Sequence, residues 1–205
     1  MSKNALVLER TESAASASTR QPSLSRATGE APRSGEYLDL IRRLFQSHSV
    51  VAVVDSGSGC RGPEACRGIA AELAASGNRV VIVQVDALLR TSQFPDATAC
   101  LPGRVPNVSH WPSTAGAPVE FFQPPAPAPS AGNWLGSLRR DFDSVLLDCP
   151  PVETAPAAAA IAALADAAVL VVEAGRTARQ QIQRDQQALQ SRGVKLAGCI
   201  LMRQR

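Results

Sequence analysis

The chain has 205 residues, enough for one α/β domain of common size with some chain left over. Its formal charge of +3 comes without any run of about five or six Lys/Arg, so charge gives no support to nucleic-acid binding. No stretch approaches about 18 consecutive apolar residues, which argues against a membrane span, and the apolar piece of MSKNALVLER is too short for the core of a secretory signal.

Residues 1–33 are rich in Ser, Ala, Thr and Arg and poor in large apolar groups. Such a segment buries too little surface to offset its ordering entropy, and it is expected to be a disordered N-terminal arm. Residues 34–205 then read as one domain. SGEYLDLIRRLFQSH places Tyr37, Leu38, Ile41, Leu44 and Phe45 at helical spacing, with Ser34 as the cap. Val50 to Val54 is an apolar strand, followed by the loop DSGSGCRG and a helix from Pro63 to the region of Gly77, a C′ glycine. NRVVIVQVD, from Asn78 to Asp86, is a second strand, and strand–loop–helix–strand makes a βαβ unit, right-handed by the usual rule.

Residues 91–132 are Pro- and Gly-rich, including FFQPPAPAPSAG, and are expected to form a long surface excursion rather than a packed element. After it come a short helix in NWLGSLRRDFDS, the strand VLLD (Val145 to Asp148), the Ala-rich helix AAAAIAALADA and the strand AVLVVEAG. An amphipathic helix, TARQQIQRDQQALQSRG, turns Ile182 and Leu189 inward, and KLAGCILM is the last strand. Alternation of apolar strands with helices predicts a mostly parallel sheet flanked by helices on both faces.

A buried strand, Gly57-x-x-x-x-Gly62 and then a helix form the frame of a phosphate-binding loop, in which successive backbone N–H groups and the helix N-terminus attract an anion. Such a loop continues with a Lys, which adds a positive charge, and a hydroxyl residue that binds Mg²⁺. Here the two positions after Gly62 hold Pro63 and Glu64, and counting back from Gly77 puts Gly62 itself in the lysine slot. Neither register offers a lysine. Arg61 and Arg67 are the cations on or beside the loop that could stand in. The cysteines contain no CxxC pair and read as reduced thiols of a cytoplasmic protein; Cys60 and Cys66 flank the loop but have no histidine near them in sequence, so no metal site is expected.

Four stretches resemble the cytoplasmic domain of bacterial tyrosine autokinases of capsule and exopolysaccharide assembly, within the wider MinD/ParA-like P-loop group. EYLDLIRR is similar to a helix with Glu-x-x-Arg-x-x-Arg, VVAVVDSGSGCRG sits where the phosphate loop belongs, RVVIVQVDALLR is similar to a strand ending in Asp-x-Asp-x-Arg, and FDSVLLDCPPV matches a Phe-Asp-(apolar)-Asp-x-Pro-Pro signature. The resemblance spans Glu36 to Met202 and implies a P-loop NTPase-like three-layer fold. It also implies a remnant nucleotide site at Gly57, Gly62, Asp86 and Asp148, and an assembly helix with Glu36, Tyr37 and Arg42 as contact residues.

The departures bear on activity. The first Asp of Asp-x-Asp is Gln84, and an amide neither acts as a base nor holds Mg²⁺ as strongly. Asp39 replaces one arginine of the assembly helix, Met202 replaces an adenine-reading Asn, and the family's C-terminal tyrosine cluster is missing. Asp148 either holds Mg²⁺ through water or caps the turn before Pro150-Pro151, the latter being favoured once its partners are gone. Gly57 and Gly62 are then retained for the backbone freedom of the turn.

The expectation is therefore a non-catalytic cytoplasmic component of exopolysaccharide biosynthesis and export, without catalytic residues or cofactor. Its partner would be a membrane chain-length or export protein or a family paralogue, with self-association open. It would contact no nucleic acid and would reach the inner membrane only through a protein partner. An active tyrosine kinase or ATPase, using ATP and Mg²⁺ with Arg61 or Arg67 in place of lysine, is the alternative. A MinD/ParA-like positioning protein ranks behind both, because neither a basic patch nor an amphipathic helix after the last strand is in view.

Overall fold

The computed structural model describes residues 8–9, 34–57, 59, 61–91, 100–111 and 134–203. In chain order the elements are β1 (Leu8–Glu9), α1 (Ser34–Ser47), β2 (Val50–Asp55), α2 (Gly62–Ala75), β3 (Val80–Gln84), α3 (Val85–Thr91), β4 (Leu101–Pro102), β5 (Val108–Trp111), α4 (Trp134–Asp141), β6 (Ser144–Cys149), α5 (Ala158–Ala162), β7 (Ala167–Glu173), α6 (Arg179–Gln190) and β8 (Leu196–Met202). The strands form one sheet in the order β1-β8-β7-β2-β6-β3-β5-β4. From β8 to β5 every neighbouring pair is parallel; the outermost strands β1 and β4 are antiparallel to theirs. This is a mostly parallel α/β sheet with helices on both faces.

Every residue of β2, β6 and β7 is buried, as continuous apolar runs in a doubly covered sheet require. Alternate side chains serve two separate cores. Val50, Ala52 and Val54 join Leu138, Ala158 and Leu189 on the face covered by α4, α5 and α6, while Val51 and Val53 join Ile41, Ile69 and Leu73 on the face covered by α1 and α2. Helix α2 ends as its glycine predicts. Gly77, at φ +91°, donates its N–H to Ala74 O at 2.9 Å, and Asn78 N–H reaches Leu73 O at 3.2 Å, closing the helix with a left-handed residue.

Several expectations are corrected here. The strand expected to run to Asp86 stops at Gln84, and Val85 opens α3. Val85 is fully buried all the same, so an apolar position did not tell a strand end from the first turn of a helix. Part of the expected surface excursion is sheet: β5 pairs in parallel with β3 from Val80↔Val108 to Val83↔Trp111, with Val108 and Trp111 buried. Its elements are short and one contains a proline at a sheet edge, where proline is tolerated. The other residues of 91–132 lie largely outside the described part. So does most of the N-terminal arm, although Leu8–Glu9 within it pair with Ile200 and Cys199 of β8. Finally, β2 and β3 are not neighbours, because β6 lies between them. That insertion brings the C-terminal ends of β2 and β6 together, with Val53 opposite Asp148.

Candidate functional site

The carboxyl ends of β2, β6 and β3 open onto the N-terminus of α2, the position where open α/β sheets bind ligands. Helix α2 begins at Gly62, with Arg61 as its cap residue and Pro63 in its first turn. Arg61 supplies no side-chain cap. Instead Asp55, the last residue of β2, accepts the Gly62 N–H on its Oδ1 at 2.7 Å. An internal carboxylate therefore takes a helix N-terminal amide that a phosphate loop leaves for its ligand.

Asp148, at the end of β6, points to the same place. A Cβ built on Gly62 would lie 2.9 Å from Asp55 Oδ2 and 3.1 Å from Asp148 Oδ1. Glycine is needed here for space: the residue is absent from those with positive φ, which corrects the expectation that Gly62 serves backbone freedom. Gly57 does meet that expectation, with φ +84°. The Asp148 side chain is directed at the start of α2.

Both carboxyls hold protons more tightly than an ordinary aspartate. Burial pushes Asp55 up to about 6 against the stabilising N–H groups of Gly62 and Arg61. Burial, and then the charge of Asp55, push Asp148 up to about 7, while a hydrogen bond from the Cys66 thiol opposes them. Cys66, on the buried face of α2, has its thiol pushed well above its ordinary range by burial. Cys60, its partner in the sequence argument about metal, lies outside the described residues. Among the described residues no group of three or more His, Cys, Asp and Glu is arranged to hold a metal ion.

A third carboxylate underlies the loop. Glu173 is buried, and a Cβ on Gly59 would come 2.5 Å from its Oε2. That oxygen has no hydrogen-bond partner, and Arg176 Nη1 approaches it only to 3.6 Å. The start of the loop is fastened to α6 and to the connection that precedes it. Ser56 Oγ donates to Asp185 Oδ2 at 2.6 Å, and Thr177 Oγ1 donates to Ser56 O at 3.3 Å.

The two cations considered as lysine substitutes are placed differently. Arg61 Nη2 stands 2.8 Å from Glu64 Oε2 in an ion pair without hydrogen-bond alignment, and its Nε is also buried without a hydrogen bond. Arg67 is exposed on the next turn of α2, within electrostatic reach of Asp148. Of the remaining sequence-predicted residues, Asp86 faces solvent on α3 and pairs with Arg90 at 2.6 Å; its charge still reaches Asp148 weakly. Gln84 lies directly opposite Asp148 in the sheet. Met202 is buried within β8. Glu36, Tyr37 and Arg42 share α1, where Arg42 is exposed; the side chains of the other two lie outside the described residues. The sequence reading grouped Gly57, Gly62, Asp86 and Asp148; the structure sets Asp148 against Gly62, leaves Asp86 in solvent on α3, and adds Asp55, which that reading missed.

No protein-family model matches the chain. Over 67 residues it is 33% identical to the tyrosine-protein kinase CpsD of Streptococcus agalactiae, a match covering 33% of this chain and 29% of that relative. In three dimensions it resembles the BceF tyrosine kinase domain, with a TM-score of 0.61 at 23% identity over 80% of this chain and 76% of the other. The kinase domain of VpsO superposes with a TM-score of 0.62 at 16% identity, over 83% and 92% of the two chains. The fold is that of the bacterial tyrosine-kinase domains. Among the described residues, no helix is long and apolar enough to cross a membrane.

Proposed function

We propose that the chain is a non-catalytic relative of the capsule and exopolysaccharide tyrosine kinases, retained for the proteins it touches. The observation that carries this reading is the Asp55 carboxylate on the Gly62 N–H. Asp148 and Glu173 sit against the same loop, so three carboxylates border the space a triphosphate would occupy. Arg61, the nearest cation to the helix start, is engaged by Glu64. Loss of one charge-assisted phosphate contact costs about 1.5–3 kcal/mol, and here an added anion opposes binding as well.

The partners that fit the resemblance are a membrane chain-length or export protein or a catalytically competent relative, met through α1 with Glu36, Tyr37 and Arg42. The chain would then lie in the cytoplasm, peripheral to the inner membrane. The deciding experiment is a calorimetric titration of the purified chain with ATP and Mg²⁺. No saturable binding is expected at up to about 1 mM nucleotide, a bound set by ordinary affinity arithmetic; a micromolar, Mg²⁺-dependent affinity ends this reading.

One observation favours the active alternative. The Arg61 Nε is buried without a hydrogen bond, although Nη2 of the same guanidinium already faces Glu64 at 2.8 Å. If wild-type protein turned over ATP and Asp148→Ala abolished it, the catalytic reading would replace the first.

A further inference from the structure

Beside the loop a cavity of about 530 Å³ opens between α2, the end of β3 and the β4–β5 hairpin. Its cationic lining lies outside Gly57–Gly62, although Arg67 is one of the two residues considered as a lysine substitute. Arg67 enters from α2, Arg104 from the hairpin turn and His110 from β5. Among the described residues neither arginine forms an ion pair, as is true of several other exposed arginines. Burial, and then the charge of Arg67, lower the proton affinity of His110 on the hairpin, and the same charge partly offsets the burial that raises Asp148 at the end of β6.

The hairpin is shaped to present the imidazole. A Cβ on Gly103 would come 2.7 Å from His110 Cδ2 and 2.8 Å from its Nε2, so only glycine leaves the ring its place. The remaining lining is largely apolar and includes Ile82, Leu101 and Val105. Leu101 and Val105 are 49% and 42% exposed, which makes them two of the most exposed large apolar side chains among the described residues. Two guanidinium groups with no ion pair among the described residues, beside an exposed apolar wall, match a ligand with a doubly charged head and an apolar body. A phosphate monoester carries about −1.5 to −2 at neutral pH and accepts the forked donors of arginine. A cavity of this size lies within the range of small-molecule sites, about 300–1,000 Å³.

We propose that this cavity binds a small organic phosphate monoester, its phosphate on Arg67 and Arg104 beside His110 and its apolar body against Ile82, Leu101 and Val105. Asp148 on the far wall opposes the negative charge, which places the phosphate on the arginine side. The cavity adjoins the candidate nucleotide site and shares Pro63, Gln84 and Asp148 with it, while the phosphate is placed on Arg67 and Arg104.

The test is a titration of the full chain with phenyl phosphate, followed by calorimetry and by the NMR signals of the His110 ring. Inorganic phosphate and benzoate serve as separate arms. Saturable binding of phenyl phosphate with Kd below about 1 mM is expected, with His110 signals moving in step and inorganic phosphate and benzoate both weaker. The double variant Arg67→Gln/Arg104→Gln should weaken binding by about ten-fold or more, the scale of one lost charge-assisted contact. Both changes are at exposed positions, so its unfolding temperature should stay that of the wild type. Absence of saturation overturns the proposal, as does unchanged affinity in the double variant. Equal binding of inorganic phosphate and phenyl phosphate would remove the apolar wall from the site and overturn it too. Calorimetric failure with ATP alongside success with phenyl phosphate separates this result from the nucleotide reading.

Discussion

Asp55 and Asp148 bind protons in the folded chain up to about pH 6 and about pH 7, well above the ordinary 3.8. Between about pH 4 and these values the native state holds protons that the unfolded state releases, so stability falls as pH rises through that window. Asp143 and Asp166 have lowered values and act below it. His110 acts inside it with the opposite sign: its lowered proton affinity makes stability rise towards pH 6.5. The difference between wild type and Asp55→Asn isolates the carboxyl pair, because the amide oxygen still accepts the Gly62 N–H. Unfolding temperatures measured from pH 5 to pH 8 should drop less in the variant than in the wild type, and parallel curves would dismiss the coupling of the two carboxyls. The sequence carried only half of this. Asp148 announced itself through the Asp-x-Pro-Pro signature, and Gly57 and Gly62 through the loop frame. Asp55 was read only as the first residue of the loop. The signal was present, since an acidic residue directly after the apolar strand is adverse to a phosphate. Its role became visible only when the backbone folded its oxygen onto the Gly62 amide, seven residues on.

The same division between local and distant information holds for whole elements. Strands β2, β6, β7 and β8 and helices α1, α2, α4 and α6 follow from continuous apolar runs, helical spacing and the Gly77 stop. Strand β5 was hidden, because four residues beside prolines offer too short a period to separate a strand from a loop. Its membership of the sheet depends on pairing with β3 and on an indole that reaches the core shared with Leu88 and Leu147. Trp111→Ala tests that membership. Removing a buried aromatic costs about 3–5 kcal/mol, whereas a residue on a surface excursion would change stability by within about 0.5 kcal/mol. Urea unfolding is expected to return the larger figure, and the smaller one would detach the hairpin, and with it the cavity wall, from the packed domain.

Across the whole molecule, the sheet places its continuous apolar strands between two cores and leaves the polar chemistry at one end, where β2, β6 and β3 finish. Such a scaffold stays folded without a ligand at that end, because the carboxylate of Asp55 already satisfies the Gly62 amide that a bound phosphate would otherwise meet. This independence has a measurable form. A ligand that binds the native state alone adds about 2.7 kcal/mol at a hundred times its Kd, and for a chain of this size each kcal/mol raises the unfolding temperature by about 2–4 °C. A nucleotide held at micromolar affinity and supplied at about 1 mM with Mg²⁺ should thus move the transition by several degrees. We expect MgATP to leave the unfolding temperature of the wild type unchanged, and Asp55→Asn to behave likewise, since Asp148 and Glu173 still border the loop and Gly62 still provides no cation. A shift of several degrees in the wild type would mean that the three carboxylates do not keep the triphosphate out. A shift in Asp55→Asn alone would assign the exclusion to that single carboxylate.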